Sequence, residues 1–301
     1  MGHKFLVSLA LLLCAEATLA QVATTSLTST STINTSLPVA RLYVSSTHYI
    51  HAYNAWANGT YTSITGSPFP FAGTAKMSVT KNFLFGADFG QNLISYSIHS
   101  NGSISKLSSV NTWPYQTGGC LQHNERGTQV DFSQATLYYL ACDYGSGNEY
   151  FSFHIQSDGS LQFLGGSGGA TDASTQGLPI VLTKMGGNPF AFDSYCDEDY
   201  DTGVIQIFRR QSNGNLIFYG QQNHMPEPAP GTSYCVGMVA ADASNHLAVA
   251  VQRIDSQPHD QGYIYGPSFL ASYTSDSSGN LTTTSNYINM PTLAVAGNYG
   301  E

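Results

Sequence analysis

The chain has 301 residues with only 10% charged, 42% apolar and a net charge of −9 at pH 7. That is length enough to bury a sizeable core, and the apolar share excludes a disordered chain. The acidic balance excludes a nucleic-acid partner, which needs a basic patch, and 30 glycines with 12% aromatics favour sheet and tight turns over helix.

Residues 1–20 read as a secretory signal: Lys4, an apolar run from Phe5 to Leu13, then Ala15, Ala17 and Ala20, with cleavage expected before Gln21. The run is too short for a bilayer, which takes about 20 apolar residues. A secreted or periplasmic protein with no membrane partner is therefore expected. Residues 21–40 are Ser/Thr-rich and read as a solvated linker or a weak outer strand. Residues 41–301 form the folded domain.

From there the chain repeats itself. Tyr49-Ile-His-Ala-Tyr leads into Asn58-Gly59, and Leu84-Phe-Gly-Ala-Asp and Leu93-Ile-Ser-Tyr-Ser-Ile lead into Asn101-Gly102. Leu137-Tyr-Tyr-Leu-Ala-Cys-Asp and Tyr150-Phe-Ser-Phe-His-Ile lead into Asp158-Gly159. Val204-Ile-Gln-Ile-Phe precedes Asn213-Gly214, and Phe269-Leu-Ala-Ser-Tyr precedes Ser278-Gly279. Each unit is an apolar strand, a polar loop, an alternating strand, a turn and another alternating strand. Asn-Gly and Asp-Gly between such strands signal two-residue hairpins, with positive φ expected at both central residues. The turn glycines fall 43, 57, 55 and 65 residues apart, a period that fits propeller blades with insertions.

Inner strands are expected around Lys76-Met-Ser-Val-Thr, Thr128-Gln-Val-Asp-Phe, Pro179-Ile-Val-Leu-Thr and Gly237-Met-Val-Ala-Ala. The first unit lacks an obvious one. The predicted fold is all-β, a β-propeller of four-stranded antiparallel blades with five units visible.

With Cys14 lost in the signal, Cys120, Cys142, Cys196 and Cys235 remain. An even count in an exported chain favours disulfides, and three pairings are open. Sequential pairing, Cys120–Cys142 and Cys196–Cys235, closes the shorter loops of 22 and 39 residues and is the expected arrangement. No Cys-x-x-Cys spacing points to zinc.

Gly66-Ser-Pro-Phe-Pro-Phe, the stretch Leu84-Phe-Gly-Ala-Asp-Phe-Gly-Gln-Asn-Leu-Ile-Ser-Tyr-Ser-Ile and the Asn101-Gly-Ser-Ile turn together resemble the seven-bladed propeller lactonases. That family contains 6-phosphogluconolactonase and carboxymuconate cyclase. The resemblance spans residues 41–290 and is best in the second and third units. It implies an exported bacterial member with a family-typical seven blades, so the five units here read as a C-terminally truncated ring with exposed end faces. It also implies lactone ring opening, but the family's Pro-His-Gly-Ala and Gly-Pro-Arg-His phrases do not carry over. Gly119-Cys-Leu-Gln-His-Asn-Glu, with a displaced His123, stands at one place and Gly177-Leu-Pro-Ile-Val at the other. The Tyr195-Cys196-Asp197 region stands where the family has a glutamate.

The candidate binding residues are Asp88, Asp143, Asp197 and Asp255, each following the second strand of a unit and expected in one register, with Arg253 and His259 in the same kind of loop. In a propeller such positions face one end of the channel and form a polar rim, suited to a sugar or a cation or to an acid–base pair. Asp is equally accounted for there by turn chemistry. The acidic run Asp197-Glu-Asp-Tyr-Asp201 lacks the spacing of a calcium loop. No Gly-x-Ser-x-Gly elbow or His-x-x-x-His pair occurs, and Gly165–Gly169 opens no phosphate-binding helix. No cofactor or metal is expected. The expected partner is a small-molecule, glycan or protein ligand at the channel face. The function this supports is a binding or scaffold module, the alternative being a lactone hydrolase that uses rim residues.

Overall fold

The computed structural model describes residues 22–26, 37–46, 48–73, 77–88, 92–115, 127–131, 133, 135–140, 150–167, 181–185, 188–197, 202–222, 233–241, 246–256 and 263–289. Among them the structure is all-β apart from one 3₁₀ turn, Trp113–Tyr115. The first unit holds β1 (Val22–Ser26), β2 (Ala40–Ser45), β3 (Tyr49–Ala55), β4 (Tyr61–Ser63) and β5 (Phe69–Pro70). The second holds β6 (Ser78–Val79), β7 (Phe83–Ala87), β8 (Asn92–Ile98) and β9 (Ile104–Asn111). The third holds β10 (Thr128–Val130), β11 (Thr136–Leu140), β12 (Tyr150–Ile155) and β13 (Leu161–Gly166). The fourth holds β14 (Val181–Met185), β15 (Asn188–Asp197), β16 (Thr202–Arg210) and β17 (Leu216–Gln222). The fifth holds β18 (Ser233–Ala241), β19 (His246–Ser256), β20 (Tyr263–Ser275) and β21 (Leu281–Asn289).

Each unit is an antiparallel meander in which neighbouring strands pair in chain order. The first strands lie side by side from unit to unit, β1 against β6 and β6 against β10. Ser78 Oγ donates to Thr128 Oγ1 (3.1 Å), tying β6 to β10. This is the blade arrangement of a β-propeller.

One expectation about the strands is corrected. The first unit does have an inner strand: Val22–Ser26 pairs with β2 from Val22–Val44 to Ser26–Ala40, because a Thr- and Val-bearing run suits a strand whatever its polarity. The blades are four-stranded and antiparallel as expected, with two local additions. β5 pairs with β3 in the first unit, and the last two units join through one parallel bridge, Thr202 with Tyr234.

The hairpin turns differ in type from the expected two-residue form. In the second unit Gly102 N donates to His99 O and His99 N to Ser103 O. The same pair of bonds recurs at Gly59, Gly159, Gly214 and Gly279. This is a type I turn closed by a residue in the left-handed region, and positive φ (82° to 95°) falls on the glycine. The Asn or Asp before it serves as an acceptor instead: Asn58, Asn101, Asp158 and Asn213 each take the backbone N–H two residues on. In the fifth unit Asp276 does so.

Alternation along the second strand decides which neighbour a side chain meets. Phe83, Phe85 and Ala87 face the third unit, while Leu84 faces the first. Tyr138 and Leu140 face the fourth unit, while Leu137 and Tyr139 face the second. The four buried clusters accordingly lie at the four junctions between successive units. From the second unit on, each turn packs on the unit before it. A Cβ at Gly102 would strike Ile64 and Arg41, one at Gly159 Phe83 and Leu107, one at Gly214 Thr136, and one at Gly279 Phe190.

Candidate functional site

Asp88 directly follows β7, and both of its carboxylate oxygens accept hydrogen bonds within its own loop. Oδ1 accepts from Asn92 N (2.8 Å), and Asn92 Nδ2 donates to both Oδ1 (3.1 Å) and Oδ2 (3.0 Å). Its backbone N–H donates to Asn92 O, closing the loop. Asp88 is a clasp, as turn chemistry suggests. Burial pushes the neighbouring Tyr96 hydroxyl up to about 12, and the Asp88 charge adds to that shift.

The expected common register resolves differently. Phe83, Phe190 and His246 each pair with the residue five before a turn glycine (Ser97, Arg209 and Thr274) and so mark equivalent positions. Counted from them, Asp197 and Arg253 both fall seven on, Asp88 two short of that and Asp255 two beyond. Asp197 and Arg253 also share a row across the joined sheet: Asp197 pairs with Thr202, Thr202 with Tyr234, and Tyr234 with Arg253. Asp255 pairs with Ile264. Asp143, His259, Cys120 and Cys142 lie outside the described residues. Cys196 sits in β15 and Cys235 in β18, each next to a member of that row in sequence, with side chains outside the description. Among the described residues no group of three His, Cys, Asp or Glu is placed to hold a metal ion, and no helix is long and apolar enough to cross a membrane.

A second polar constellation escaped the sequence reading. Asp131 and Arg210 form an ion pair of 2.9 Å between the third and fourth units, with Asp131 almost wholly buried. Arg210 Nε donates to Tyr138 Oη (3.0 Å), and the Tyr138 hydroxyl donates to Gly214 O (3.0 Å). Asp131 also accepts from Ser133 Oγ and from the N–H groups of Ala135 and Thr136. Burial pushes the Tyr138 hydroxyl well up, against the lowering influence of Arg210. With the Asp131 carboxylate and the Tyr138 hydroxyl partnered from within the fold, this network locks a junction. A local signal existed, Asp131-Phe-Ser133 ahead of a strand, but Arg210 lies a unit away in sequence.

No family model matches the chain, and no curated protein matches it. Among solved structures it is similar to the periplasmic gluconolactonase PpgL of Pseudomonas aeruginosa, at 14% identity over 82% of each chain with a TM-score of 0.46. It is similar to Sqt1 of Saccharomyces cerevisiae, at 11% identity over 82% of each chain with a TM-score of 0.42. It is also similar to virginiamycin B lyase of Staphylococcus aureus, at 10% identity over 92% of this chain and 86% of that one, with a TM-score of 0.39.

Proposed function

We propose that this chain is an exported binding module that takes a sugar or sugar acid where the second strands of the fourth and fifth units end. The observation that carries this reading is the row Asp197–Thr202–Tyr234–Arg253, in which an aspartate, a threonine, a tyrosine and an arginine hold paired backbone positions along one line of the sheet. These residue types suit such a ligand. A guanidinium grips a carboxylate with paired hydrogen bonds, and a carboxylate accepts from sugar hydroxyls. Asp88, whose two carboxylate oxygens accept from Asn92, is held as a clasp of its own loop, which favours binding over ring opening.

Calorimetric titration with a panel of neutral sugars, aldonic acids and uronic acids tests this, run beside acid release from sugar lactones. Binding of at least one sugar acid is expected, weakened about tenfold or more in Arg253→Ala, as for loss of a charge-assisted contact. Lactone turnover abolished by Arg253→Ala or Asp143→Asn, in variants that still fold, would establish the hydrolase instead. A panel with no binder would remove the proposal.

A further inference from the structure

The interface between successive units is built the same way four times, and both of its halves also stand open at the ends of the described arc. One half is marked by the residue nine before each turn glycine. Ile50, Leu93, Tyr150 and Ile205 hold this place in the first four units, and each is buried against the unit that follows. In the fifth unit the same place is Leu270, which is 42% exposed. It pairs across the strands with Ile288, which is 68% exposed.

The other half is marked by the residue two after the turn glycine. Ile104, Leu161, Leu216 and Leu281 hold it in the second to fifth units, each buried against the unit before. In the first unit it is Tyr61, 63% exposed. The turn itself tells the same story: a Cβ at Gly59 would meet nothing within 4 Å, whereas the other four turn glycines are each packed by the preceding unit.

We propose that the fifth unit of one copy of this chain docks on the first unit of a second copy, Leu270 and Ile288 covering the Gly59 turn and Tyr61. The two faces are the complementary halves of a contact the chain already makes with itself, so the partner of each is the other. They are different surfaces, which makes the contact head-to-tail. Such contacts grow into rings or open chains of subunits rather than stopping at a symmetric pair. Solvent-exposed apolar patches of this kind drive association.

Sedimentation velocity over a wide concentration range tests the proposal with two variants, Tyr61→Glu and Leu270→Glu. Both sites are exposed, so both variants are expected to fold, which circular dichroism checks. The parent chain is expected to form species larger than a dimer, growing with concentration. Each variant alone loses one face and stays monomeric. Mixed in equal amounts, the two variants still own one intact face each and form a one-to-one dimer that grows no further. A parent that stays monomeric at every concentration would overturn the proposal. So would a variant that still self-associates on its own, the mark of a symmetric contact, or a mixture in which no dimer appears.

Discussion

The junction between the second and third units and the junction between the third and fourth share one backbone frame and an apolar core, but close the side next to the turn with different chemistry. Four residues before the turn glycine the first has Ile155, buried in an aromatic cluster, and the second has Arg210. The residue capping the start of the preceding unit's second strand changes with it. Thr80 Oγ1 accepts from Phe83 N in one case, and the Asp131 carboxylate accepts from Thr136 N in the other. Around Ile155 the seal is rings: Tyr115 stacks on Phe163 at 3.9 Å and meets Phe151 and Phe153 edge-on. Around Arg210 it is an ion pair and a tyrosine hydroxyl. The repeat therefore dictates where each turn sits, while the chemistry of the seal is free to vary as long as both sides of a junction vary together.

The largest expected effect is at the aromatic junction. Phe153 is fully buried against Tyr115 and Phe163, and Phe153→Ala should cost about 3–5 kcal/mol, the range for emptying a packed aromatic site. Urea denaturation followed by tyrosine fluorescence reads this. A loss below about 1 kcal/mol would mean that the cluster collapses onto the gap or contributes little.

The polar junction should respond to single and paired changes in opposite ways. Asp131→Thr keeps a cap but strips Arg210 of its carboxylate, at about 2–3 kcal/mol given that Arg210 retains some solvent. Adding Arg210→Ile copies the chemistry of the other junction and should recover most of that loss, because a buried ion pair is seldom worth more than well-packed apolar groups. Equal stabilities for the single and double variants would show the two residues to be uncoupled and would break the comparison.

What the chain discloses about itself follows the range of the interactions. The five turns were legible because a left-handed backbone position needs glycine, and each glycine carries its acceptor within three residues. Four of the five inner strands were legible from apolar alternation. β1 was not, because Val22-Ala-Thr-Thr-Ser has the composition of a linker and becomes a strand only by pairing with β2. The Asp131–Arg210 pair was not either, since its partners lie in different units and neither is unusual alone. Of the candidate rim positions, a gapped repeat cannot reveal a two-residue shift such as that of Asp88, which only strand pairing exposes.

The smallest effect separates the same two junctions by acidity. At the turn entering the aromatic junction the acceptor is Asp158, which takes Ser160 Oγ at 2.7 Å and Ser160 N at 2.9 Å. At the polar junction the corresponding acceptor is Asn213, which takes Asn215 N at 3.0 Å. The two bonds from Ser160 hold the Asp158 carboxyl below its ordinary value of 3.8. A carboxyl depressed by folding adds stability above its unfolded value and loses it as pH falls through the folded one. Acid should therefore loosen the Asp158 turn, whose aspartate gains a proton, and leave the Asn213 turn with its acceptor intact. Both sit at hairpin tips, so the shift concerns local order more than global stability. In an NMR titration the Ser160 amide should move with a midpoint below 3.8 while the Asn215 amide shows no step from its own turn. A Ser160 midpoint at or above 3.8 would mean that the hydroxyl and amide bonds do not favour the charged form, and the distinction between the two turns would fall.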